Sequence, residues 1–103
     1  MPVITVVMVH ADRALCEICT QILVDAGYTV KAAAPEPPLA EQLRRQQPQI
    51  IIVAVQGPTD PGIALSRQLK AAPEPPAVLL LSTYPDIAEL QTQAGADAVL
   101  GEH

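Results

Sequence analysis

Three stretches of the chain are apolar almost without interruption: VITVVMV (residues 3–9), IIIVAV (50–55) and AVLLLS (77–82). A strand with one face in water alternates apolar and polar side chains. An unbroken run of this length instead fits a strand buried on both faces, as in a parallel sheet covered by helices. The chain has 103 residues, half of them hydrophobic, which is one domain's worth of core over residues 1–103. Tyr28 and Tyr84 are its aromatic residues, so that core is aliphatic.

The segments between the runs carry helix signals. Asp12 is placed to cap a helix in which Leu15, Ile18, Cys19, Ile22, Leu23 and Ala26 recur at helical spacing. On this stripe Cys19 faces the core and Cys16 points off it. Gly27 ends the helix, and residues 28–33 read as a second strand. After APEPP (34–38), residues 39–46 form a short polar helix with Leu39 and Leu43 inward. The run at 50–55, apolar throughout, is the central strand. The loop QGPTDPG leads to a helix over 63–71 that turns Ile63, Leu65 or Ser66, and Leu69 to the core. A second PEPP stops it, the strand at 77–82 follows, then a short helix at 86–93 and a brief fifth strand within 94–100. Both PEPP segments read as rigid loops, since neither has the flanking bases of a polyproline ligand. Strands alternating with single helices give right-handed crossovers and a parallel sheet.

The formal net charge is −5, and Arg44–Arg45 is the one adjacent basic pair. That argues against nonspecific nucleic-acid binding, which needs clustered Lys and Arg. The first apolar run is too short to span a bilayer and has no basic lead-in or cleavage site, so a cytoplasmic protein without a membrane segment is expected. Two cysteines do not make a disulfide framework and agree with a reducing compartment.

Four segments in order resemble the receiver domain of bacterial two-component response regulators. VVMVHADRALCEICTQILVDAGYTV (6–30) is similar to that family's first strand and helix, and PQIIIVAVQGPTDPG (48–62) to its third strand and following loop. VLLLST is similar to its fourth strand and AGADAVL to the turn and fifth strand. The resemblance implies a flavodoxin-like doubly wound sheet of five parallel strands in the order 2-1-3-4-5. Here the last helix is missing, because the chain supplies four where the family has five. The face beside the first helix, over the fourth and fifth strands, then lacks its cover. A homodimer is expected there, or a helix borrowed from a partner or from sequence beyond residue 103.

The resemblance also implies phosphoryl transfer to an aspartate. That chemistry uses a carboxylate nucleophile, further carboxylates for Mg²⁺, a lysine and a hydroxyl. Matched residue by residue, the nucleophile position holds Ala54 and the acidic pair is His10 and Ala11. The hydroxyl is kept as Ser82, the lysine is Glu102, and the aromatic switch position is Val99. A methyl group cannot form an acyl phosphate. The expectation is a pseudo-receiver that is not an enzyme, binds no metal or cofactor, and works through a protein partner, in cis or in trans. Asp12 reads as a cap and Asp60 as an ordinary turn residue, not as displaced acceptors.

Two other readings use the same residues. A small ligand could lodge near Ala54 and Ser82, against the loops at Gln56, Gly57, Thr83 and Tyr84. Gly57, Gly62, Gly95 and Gly101 are isolated, so no phosphate-binding glycine loop is present. Cys16 and Cys19 form a CxxC, similar to thioredoxin-like redox proteins, but Cys16 falls a full turn inside the helix, away from the N–H groups that stabilise a thiolate.

Overall fold

The computed structural model describes residues 4–10, 12–33, 39–57, 59–73 and 75–101. Their elements alternate strictly: β1 (Thr5–Val9), α1 (Arg13–Asp25), β2 (Thr29–Ala33), α2 (Leu39–Gln46), β3 (Ile50–Ala54), α3 (Pro61–Lys70), β4 (Ala77–Ser82), α4 (Ile87–Ala94) and β5 (Ala98–Gly101). The five strands form one sheet in the order β2-β1-β3-β4-β5, and every neighbouring pair is parallel. This is the doubly wound flavodoxin-like arrangement expected from the apolar runs and the resemblance.

Alternation along each strand divides the core into two layers. Val7, Val9, Ile51, Val53, Val78 and Leu80 point to one face and pack with Leu43 of α2, Ile63, Leu65 and Leu69 of α3, and Leu90 and Ala94 of α4. Val6, Met8 and Ile52 point to the other face and pack with Cys16, Cys19 and Leu23 of α1. Burying each such Val, Leu or Ile contributes about 1.5–3 kcal/mol, so the three-helix layer is the larger share of the core's stabilisation. Pro73, Pro75 and Pro76 of the second PEPP segment border a groove of about 640 Å³ with Leu43 and Leu69, at the amino ends of β3 and β4.

The ends of the helices follow from side-chain chemistry. The Asp12 carboxylate accepts the amides of Ala14 (3.0 Å) and Leu15 (3.2 Å) and so caps α1. Asp86 accepts Glu89 N at 3.1 Å and caps α4, which stops at Gly95 with φ 68°, a left-handed position natural to glycine. The α4–β5 turn is anchored by Asp97. Its Oδ2 accepts Lys70 Nζ at 2.7 Å and Val78 N at 2.8 Å, joining the end of α3 to the start of β4.

Helix α1 departs from the expected packing. Cys16 is 4% exposed and is the buried residue of the helix, while Leu15, Ile18 and Ile22 are 46%, 55% and 63% exposed. The apolar arc of α1 is broader than the strip of β1 and β2 beneath it, and the helix docks along the Cys16–Leu23 side of that arc. The rest of the arc has no protein over it among the described residues. The cysteine roles are therefore exchanged: Cys16, whose Sγ donates to Met8 O at 3.8 Å, is the core residue, and Cys19 is half-buried.

Two outcomes follow. Cys16→Ser places a hydroxyl among aliphatic side chains and is expected to lower unfolding free energy by about 1–3 kcal/mol, with a smaller loss for Cys19→Ser, measured by urea denaturation. The hydrogen bond from Lys70, with the bond from the Val78 amide, holds the Asp97 carboxyl below its ordinary value. The unfolded chain then binds the proton more readily, so the contribution is complete above the ordinary carboxylate range near pH 4 and is lost as pH falls below it. Asp97→Asn is expected to flatten that acid limb of a stability–pH curve and to leave its neutral part parallel to that of the unchanged protein.

Candidate functional site

Parallel strands bring their carboxyl ends to one edge of the sheet. The register pairs Val9 with Val53, Ala54 with Leu81, and Ser82 with Gly101. His10, Ala54 and Ser82 accordingly stand at the same end of three neighbouring strands. Ala11 and Glu102, matched above to the second acid and the lysine, lie outside the described residues.

His10 continues the sheet, its amide donating to Ala33 O at 3.2 Å. Its Nδ1 accepts Asp12 N at 2.9 Å, which leaves the ring proton of the neutral form on Nε2. Ala54 is half-buried and packs on the α1 side of the sheet. Ser82 is 2% exposed, and its Oγ accepts Tyr84 N at 3.0 Å in a turn that closes the end of β4. Val99 is half-buried against the three-helix layer.

The loop after β3 is ordered by one carboxylate. Asp60 Oδ1 accepts Gly62 N at 2.8 Å and caps α3, while Oδ2 accepts Gln56 N at 2.8 Å across the loop. Asp60 N donates to Gly57 O at 3.1 Å, closing the same turn from the other side. The Tyr84 ring covers Gly57: a Cβ built there would lie 3.7 Å from the ring edge. Gly62 brings α3 against the sheet, since a Cβ there would stand 2.7 Å from methyl groups of both Val53 and Val55. Reading Asp60 as an ordinary turn residue missed this double role. The signal was present in Asp60-Pro61-Gly62, a capping residue followed by proline at the first helical position.

Magnesium asks for several oxygen ligands, carboxylates above all. Among the described residues this end of the sheet offers a methyl group, an imidazole, a buried hydroxyl already in a turn, and the carboxylates of Asp12 and Asp60, each accepting two backbone amides. Among the described residues no three His, Cys, Asp or Glu side chains converge on a point where a metal ion could sit. The described residues do not converge on a point that fits the ion.

A sequence profile of the response regulator receiver domain matches residues 6–101, and the chain belongs to that family. Solved structures agree on the fold. A chain described as a response regulator from Chloroflexus aurantiacus shares 26% identity at a TM-score of 0.82, covering 98% of this chain and 86% of that one. The Vibrio cholerae chemotaxis protein CheY4 shares 22% identity at 0.75, over 98% and 88% of the two chains. The beryllofluoride-activated receiver domain of RstA from Klebsiella pneumoniae shares 21% at 0.75, over 93% and 83%. No curated protein sequence matches significantly. Receiver domains of this family are signalling modules that work through contacts with other proteins, such as kinases and output domains. No helix among the described residues is long and apolar enough to cross a membrane.

Substituting Asp60 separates its two bonds. Asp60→Asn keeps one acceptor for the cap and loses the second, so amide exchange at Gln56 is expected to quicken with little loss of stability. Asp60→Ala loses both, and about 1 kcal/mol of stability with them. Hydrogen exchange of the two variants followed by NMR checks both statements.

Proposed function

We propose that this receiver domain is a pseudo-receiver. It keeps the family's fold and its means of signalling, contact with a protein partner, and has given up the phosphoryl acceptor and the metal. The observation that carries this reading is Ala54 at the carboxyl end of β3, flanked by His10 and Ser82. An acyl phosphate needs a carboxylate at that point, and a methyl group has no oxygen to attack with. The substitutions read from the sequence at Ala11 and Glu102 act in the same direction, removing a metal ligand and placing an acid where the family has a lysine.

With its chemistry gone, the domain is not an enzyme and requires no cofactor. It acts in the cytoplasm as a regulatory or scaffolding partner, joined to its output domain or meeting it in trans. The loops at Gln56, Gly57, Thr83 and Tyr84 form one contact surface. The strip of sheet beside α1 forms another, offered to a partner's helix or to a second copy. The support for the loops is the set of contacts that tie them together: Asp60 accepts the amides of Gln56 and Gly62, and the Tyr84 ring lies on Gly57.

Treatment with acetyl phosphate and Mg²⁺, followed by intact-mass measurement, is expected to leave the mass unchanged. A stoichiometric, base-labile phosphoryl adduct would contradict the reading. Ala54→Asp alone is expected to remain unmodified under the same conditions, because the metal ligands and the lysine are not restored with it.

A further inference from the structure

His10 does more at the carboxyl edge than stand where the family has an acid. Its amide donates to Ala33 O at 3.2 Å, which fixes the residue to the end of the sheet. Its Nδ1 accepts the Asp12 amide at 2.9 Å. Asp12 is in turn the residue on which α1 starts. The Asp12 carboxylate accepts the amides of Ala14 and Leu15, and the Asp12 carbonyl accepts Cys16 N at 2.9 Å. The imidazole therefore ties the end of β1 to the cap of α1.

That tie requires the neutral ring. An imidazolium carries a hydrogen on both nitrogens and has no lone pair left to accept with. Once protonated, Nδ1–H and the Asp12 N–H face one another, donor against donor. The positive charge also stands beside the first turn of α1, the end of a helix that disfavours cations. The neighbouring charges do little to hold it there. Asp12 is the acid of the same turn, and its carboxylate is engaged with the amides of α1. Arg13, the first residue of α1, is itself a cation. Asp60, the acid of the β3–α3 loop, has both oxygens on backbone amides. Ala33 of β2 and Ala54 of β3 bring no charge, and the ion pairs of the described residues do not include His10. Water is open to the ring, since His10 is half-buried.

We propose that the β1–α1 turn is a proton-operated switch. With His10 neutral, Nδ1 holds the Asp12 amide and the turn is closed on the edge of the sheet. With His10 protonated, the ring swings to water and the Asp12 amide is released. The turn opens while the Asp12 carboxylate keeps α1 capped. The switch works over the range in which imidazoles titrate, about pH 5 to 8. The turn shares its edge of the sheet with the loops proposed for partner contact, so opening it reshapes that surface. The switch rests on these hydrogen bonds and not on the reading of the domain as a pseudo-receiver.

A pH titration of the full chain by NMR tests this. At the alkaline end the ring nitrogen shifts are expected to show the hydrogen on Nε2 and a bare Nδ1. As pH falls, the Asp12 amide resonance is expected to move upfield with the same midpoint as the His10 ring. Its protection from solvent exchange, corrected for the intrinsic effect of pH, is expected to fall about fivefold, the worth of one hydrogen bond. The Ala14 and Leu15 amides are expected to keep theirs. His10→Asn offers the same amide a side-chain carbonyl that does not titrate, and is expected to hold Asp12 protected across the range. Circular dichroism checks that this variant folds as the unchanged chain does. A hydrogen on Nδ1 at the alkaline end overturns the proposal. So does an Asp12 amide indifferent to the ring's titration, or a His10→Asn chain that still loses Asp12 protection as pH falls. A phosphoryl adduct after treatment with acetyl phosphate removes the pseudo-receiver and leaves the switch standing.

Discussion

Parallel pairing governs this molecule. Each strand satisfies its backbone groups only through neighbours running the same way, and each connection between neighbours must therefore cross a face of the sheet. The crossovers place helices on the faces, and the helices permit unbroken apolar strands such as IIIVA of β3. The same pairing sends the carboxyl ends of β1, β3 and β4 to one edge, where His10, Ala54 and Ser82 meet although far apart in the chain. Fold, core and site are consequences of one hydrogen-bonding pattern.

At that edge, local hydrogen bonds hold the loops. Asp60 binds two amides of its own loop, and Ser82 binds the amide of Tyr84. These bonds are short in sequence separation and form together with the start of α3 and the end of β4.

The strands were legible because unbroken apolar runs have few alternative homes, and because a cap such as Asp12 sits next to a helical pattern; their order came with the resemblance to receiver domains. Starts and stops shifted where a capping residue was overlooked: α3 begins at Pro61, two residues before the expected start, because Asp60 is its cap. The facing of α1 was not legible. Six apolar residues spread over a wide arc give a direction only to within half a turn, and contact with β1 and β2 chose the Cys16 side. That Ala54 stands where the resemblance places the acceptor could be read directly, since a residue type is a fact of sequence. The binding of Asp60 to Gln56 could not, because it depends on how the loop closes.

The Tyr84 ring on Gly57 has a practical meaning. The chain contains no tryptophan, and its other tyrosine, Tyr28, stands 38% exposed at the α1–β2 turn. Tyr84 is thus a built-in optical reporter of that edge of the sheet. Its emission and near-ultraviolet dichroism arise from a ring held against one loop, over the nearly constant signal of a solvated one. An event that lifts the loop from the ring registers in the spectrum of the unlabelled protein.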